Sequence, residues 1–127
     1  MNLDIAIMKS DRDQDLVLRQ TKDLTTAICH TDAYKEYQRY LARLKKHPDI
    51  HQRLNEFRRK SLNLDPKDEY FKDQEEALRK EYDDILVLPV VMNYLTSEAL
   101  INRMLRMVYD NIAEDILIDL SYLEEIL

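Results

Sequence analysis

Residues 95–127 read LTSEALINRMLRMVYDNIAEDILIDLSYLEEIL, and this stretch decides the fold. Ile101, Leu105, Val108, Ile112, Ile116, Leu120, Leu123 and Leu127 follow one another at steps of three or four, which places them on one stripe of an α-helix. Leu100, Met104, Met107, Leu117 and Ile118 lie on other faces of the same helix. A helix that is apolar on more than one side needs cover on more than one side.

The rest of the chain agrees with a helical reading. The 127 residues contain no Gly and three Pro, Pro48, Pro66 and Pro89, so almost nothing supplies the positive φ that tight hairpins need. The lack of Gly also excludes a P-loop and a dinucleotide fingerprint, in which the backbone must approach phosphate closely. One domain is expected at this length. Cys29 is the only cysteine, which excludes an intramolecular disulfide and a multi-cysteine metal cluster within one chain. It reads as a small buried hydrophobe in a reducing compartment. With no basic leader and no apolar run of about 18 residues, a soluble cytoplasmic protein with no membrane contact is expected.

Working back from the C-terminal stretch, five helices are expected. Residues 1–10 form an arm; Ser10 with Asp11, Asp13 and Asp15 starts a helix over 11–30 that turns Val17, Thr21, Leu24 and Ile28 inward. Thr31 caps a second helix over 32–46, with Tyr34, Tyr37, Leu41 and Leu44 inward, which Pro48 stops. Pro48 opens the third, 48–64, presenting Ile50, Leu54, Phe57 and Ser61 with Leu62 adjacent. The fourth, 67–86, carries Phe71, Leu78, Tyr82 and Ile85, with Glu75 in a slot that the period reserves for an apolar residue; Pro89 opens the fifth, 89–120. The predicted fold is all-α: an elongated bundle with a long C-terminal helix.

A length estimate turns the surplus of apolar faces into an assembly prediction. A compact domain of this size has a diameter of about 36 Å, whereas residues 97–127 as one helix would span about 46 Å. Unless the helix breaks near Ser121, a second chain must cover its stripe, and an antiparallel two-fold pairing is the simplest solution. Ile101, Leu105, Val108, Ile112, Ile116 and Leu120 are the expected oligomer interface, each Leu or Ile contributing on the order of 1.5 to 3 kcal/mol when buried.

Charge is distributed unevenly. Between Lys35 and Lys60 nine Lys/Arg face three acids, and from Ser61 onward six basic residues face sixteen acidic ones. Such asymmetry steers subunits together or presents a basic face to RNA; the candidate basic patch is Arg39, Arg43, Arg58, Arg59 and Lys60. His47 and His51 are spaced as two ligands on a helix face, yet spacing suggests no third ligand, so no metal site is assigned. Acid clusters such as Asp73, Glu75 and Glu76 read as solvated helix surface. No catalytic residue, cofactor or small-molecule substrate is assigned.

Several short motifs carry a resemblance. Thr31-Asp32-Ala33-Tyr34-Lys35-Glu36-Tyr37, His47-Pro48-Asp49, Asn55-Glu56-Phe57-Arg58 and Leu88-Pro89-Val90-Val91-Met92-Asn93-Tyr94-Leu95-Thr96-Ser97-Glu98 occur in the order of the YlbF/YmcA family of small bacterial helical regulators. The chain resembles that family over roughly Leu16 to Ile118. The resemblance implies an all-α fold, homo- or hetero-oligomers with related helical proteins, no intrinsic catalysis, and a role as an accessory factor of an endoribonuclease affecting competence, biofilm formation or sporulation. Some members hold an iron-sulfur cluster through cysteines near the C-terminus. Here that region has none, and the cluster is not carried over.

Overall fold

The computed structural model describes residues 3–123, with side chains described from residue 8. Six α-helices follow one another: α1 (Leu3–Cys29), α2 (Asp32–Lys45), α3 (Pro48–Asn63), α4 (Phe71–Glu81), α5 (Asp83–Leu86) and α6 (Pro89–Asp115), with a 3₁₀ turn at Ser121–Leu123. No strand occurs among the described residues, and no described helix is long and apolar enough to cross a membrane.

The local signals at the turns act as their chemistry predicts. Thr31 is extended and its hydroxyl accepts the Tyr34 N–H at 3.2 Å, satisfying one orphan donor of α2. Pro48 and Pro89 sit in the first turns of α3 and α6, where a missing N–H costs nothing. Between α3 and α4 the carboxylates of Asp65 and Asp68 accept the backbone N–H of Lys67 and Tyr70 at 2.9 and 2.8 Å. These side-chain turns compete with helix and delay α4 to Phe71, four residues later than expected. Tyr82, with φ −109° and ψ 13°, separates α4 from α5, so the expected 67–86 helix is two pieces.

Two helix ends also differ from the sequence reading. Residues 3–10 are the start of α1 and not an arm. Nothing between Lys9 and Asp15 breaks a helix, and the i,i+4 spacings Lys9–Asp13 and Asp15–Arg19 favour continuing one. At the other end α6 stops at Asp115, where Ile116 turns extended, and does not reach residue 120. Glu114 and Asp115 oppose the negative end of the helix dipole, no basic residue occupies the last turn, and β-branched Ile116 and Ile118 follow. Leu127, the last member of the expected stripe, lies outside the described residues.

The core sits among α2–α6. Leu44, Leu54 and Val91 are fully buried, and Leu78, Tyr82, Ile85 and Tyr94 close around them. Tyr37, Leu41, Ile50 and Phe57 pack at its edge, while Leu62 is 84% exposed and belongs to no core. The helix directions follow from cross-element pairs. Arg53 meets Asp84, Phe57 lies 5.6 Å from Tyr82, and Lys60 meets Glu81, so α3 runs antiparallel to 81–85. The start of α6 therefore lies beside the α2–α3 turn. Further along, Tyr94 of α6 meets both Tyr37 of α2 and Arg58 of α3. α6 thus runs back along α2 and reaches the α1–α2 turn near Ile101, the last buried residue of α6.

Candidate interaction surface

Past that turn two helices leave the bundle at the same end. One is α1, whose 27 residues span about 40 Å. The other is the second half of α6. Among the side chains described for α1, Leu16, Val17, Leu18 and Leu24 are all exposed, and only Ile28 and Cys29, next to α2, are half-buried. The expected inward face of this helix, Val17, Thr21, Leu24 and Ile28, therefore meets no core except at its last member. On α6, Leu105 and Ile112 are exposed and Val108 is half-buried. Beyond the helix, Ile116 and Leu120 turn back with Tyr109 and Ile112 to line an open apolar groove of about 400 Å³. Of the six residues expected at an oligomer interface, the structure buries Ile101 in its own bundle and strings the other five along the projecting end.

The amount of surface is unusual for the mass. A folded monomer of 15.3 kDa exposes about 7,100 Å². This chain exposes 10784 Å². The excess is of the size that obligate partners bury between them.

The bundle end of α6 is fixed by a polar cluster. Arg58 Nη2 donates to Glu98 Oε1, Tyr94 Oη donates to Glu98 Oε2 at 3.1 Å, and the guanidinium lies 5.7 Å from the Tyr94 ring centre. Tyr37 stacks on Tyr94 from α2 at 5.7 Å. Burial pushes the Tyr94 phenol pKa well above its ordinary value, aided by the neighbouring Tyr37 phenol and by the Glu98 charge. Burial opposes ionisation of Glu98, but the hydrogen bond and charge of Arg58 outweigh it and hold the carboxyl below its ordinary value. Arg58 is raised in return, chiefly by its bond to Glu98. Buried Ser97 donates to the Tyr94 carbonyl at 2.8 Å. This cluster joins α2, α3 and α6.

The five cations singled out in sequence do not form one free basic face. Arg58 is engaged as described; Lys60 pairs with Glu81 at 3.2 Å; Arg39 pairs with Glu36 at 3.6 Å; Arg39 and Arg43 both lie over the Tyr40 ring. Among the described residues Arg59 alone of the five has neither an ion pair nor an aromatic face. The geometry does not support the RNA-binding alternative. His47 is exposed at the start of α3 without a side-chain cap bond, and among the described residues no group of three or more His, Cys, Asp or Glu could hold a metal ion.

Residues 17–116, from the middle of α1 to the end of α6, match the family described as control of competence regulator ComK, YlbF/YmcA. The chain belongs to the YlbF/YmcA family. The match takes in all five helices of the bundle and the exposed stretch of α6, and begins within the projecting part of α1. No curated protein and no solved structure matched the chain. As a YlbF/YmcA protein it is a helical member of a competence-regulator family. Sequence reasoning missed the exposure of α1. Its only signal was the weakness of the stripe beyond Val17, where the helical period reaches Asp13, Gln14 and Ser10 instead of apolar residues.

Proposed function

We propose that this YlbF/YmcA protein is a non-enzymatic cytoplasmic adaptor or regulator. It self-associates through the stripe of Leu105, Val108, Ile112, Ile116 and Leu120 and presents its remaining apolar surface to partner proteins, related helical proteins among them. Its role resembles that of accessory factors of an endoribonuclease that affect competence, biofilm formation or sporulation. The observation that carries this reading is the surplus of exposed surface gathered on two projecting helices. Apolar side chains in contiguous exposed patches mark protein–protein contacts.

The test has two parts. Sedimentation velocity at micromolar concentration should give at least a dimer, and a monodisperse monomer would refute self-association. Affinity capture from native cell extract should retain a protein partner after ribonuclease treatment. Capture that vanishes with ribonuclease, together with RNA binding that falls steeply with salt and is lost in Arg59→Glu, would refute the adaptor reading.

A further inference from the structure

We infer that the uncovered half of α6 pairs antiparallel with the same segment of a second copy, in a register that sets Val108 against Ile112. This rests on the self-association reading above and adds to it a direction and a register.

Three observations lead there. The first is area: the surplus over a folded monomer of this mass exceeds the roughly 1,000–2,500 Å² that an obligate two-fold contact takes from each partner, and part of it lies on this segment. The second is charge. Asp110, Glu114, Asp115 and Asp119 gather at the free end of the segment, while Arg103 and Arg106 lie nearer the bundle. A parallel pair would bring the two acidic ends together, adding repulsion between aligned helix dipoles. An antiparallel pair carries each acidic end towards the basic root of the other copy.

The third is spacing. Leu105, Val108 and Ile112 are separated by three and then four residues, and a reversed helix presents the same side chains separated by four and then three. Two alignments let such rows interleave as knobs into holes. One sets Ile112 against Ile101, which its own bundle already buries to 9% exposure. The other sets Val108 against Ile112 and Leu105 beside Asp115 and Ile116, with the two-fold axis at the level of Asp110. The second avoids Ile101 and uses Leu105 and Ile112, which are exposed, and Val108, which is half-buried. It also ends the overlap where α6 ends, so the tip of each copy stops short of the other copy's bundle. The contact is isologous and closes on itself, which limits it to two chains.

Disulfide trapping decides between the arrangements. In a Cys29→Ser background, Val108→Cys and Ile112→Cys are prepared as two single variants, one carrying a size tag, and each is oxidised alone and in an equimolar mixture. Sedimentation is run on the reduced samples. The antiparallel register predicts a mixed disulfide in the mixture and its loss in either variant alone, because like positions lie four residues out of line, about 6 Å along the axis. Self-crosslinking of each single variant would show parallel pairing and overturn the proposal. A dimer that forms no disulfide in the mixture would overturn the register while leaving self-association standing. A monomer would overturn both.

Discussion

Arg58→Met tests the cluster that holds α6 to the bundle. Methionine keeps the apolar stem of the side chain and removes only the guanidinium. Glu98 then keeps its bond from Tyr94 but loses its countercharge at a site where its side chain is 24% exposed. Exposed pairs contribute about 0–1 kcal/mol, and leaving one member of a buried pair uncompensated costs about 3–5 kcal/mol. A partly buried pair falls between, and the lost contact with the Tyr94 ring adds about 0.5 kcal/mol. The expected destabilisation is about 2.5 kcal/mol at neutral pH. With the usual unfolding entropy per residue, that lowers Tm by about 9 °C in a chain of 127 residues. The pH dependence supplies the sharper check. In the wild type the folded pKa of Glu98 is depressed, so its contribution is full above the ordinary carboxylate value and is lost as pH falls through the depressed one. In the variant burial is left to raise that pKa, so protonation relieves the unpaired charge as pH falls. The gap between the two proteins, followed by circular dichroism at fixed protein concentration, should narrow from pH 7 to about pH 4. A gap that stays constant over that range would refute the assignment of the loss to the Glu98 charge.

Other substitutions probe separate parts of the molecule. Leu54→Ala, at a fully buried position, should cost about 2–5 kcal/mol in urea unfolding at any protein concentration; a loss below 1 kcal/mol would contradict its place in the core. Val108→Asp should reduce the sedimenting species to monomer while the bundle keeps its helical spectrum, since Val108 lies beyond the last buried residue of α6. Retention of the oligomer would remove α6 from the interface. Arg53→Ala should leave the urea unfolding midpoint nearly unchanged, and still closer to wild type in high salt, although Arg53 and Asp84 form two hydrogen bonds, because both partners are well exposed; a large salt-sensitive drop would contradict this.

The all-α class was legible from the missing glycines and the three-and-four spacing, and the caps at Thr31, Pro48 and Pro89 behaved as their chemistry requires. Helix ends were less legible because two local signals competed at each of them. Ser10 and its neighbouring aspartates look like a start, but the same residues also make favourable pairs within a continuing helix. At the far end, apolar periodicity continues past Asp115 while the dipole and the β-branched residues stop the helix. The cluster of Arg58, Tyr94 and Glu98 was invisible as a unit, since it joins residues forty positions apart. The partners of the basic residues were hidden for a related reason: counting cations along the chain does not reveal which carboxylates and aromatic rings meet them in the fold.

Because α6 belongs to the bundle up to Ile101 and to no core of its own afterwards, its two halves answer to different equilibria. An uncovered helix of about 14 residues is marginal in water. The stretch 102–115 is therefore expected to be firm only where a second molecule supplies its cover, so that mass action sets its population. Amide exchange there should slow as protein concentration rises through the association midpoint, while exchange at Val91 and Tyr94 stays unchanged. A concentration-independent rate in 102–115 would show that the segment holds itself. Under this coupling the amount of protein in the cell determines how much of its recognition surface is folded.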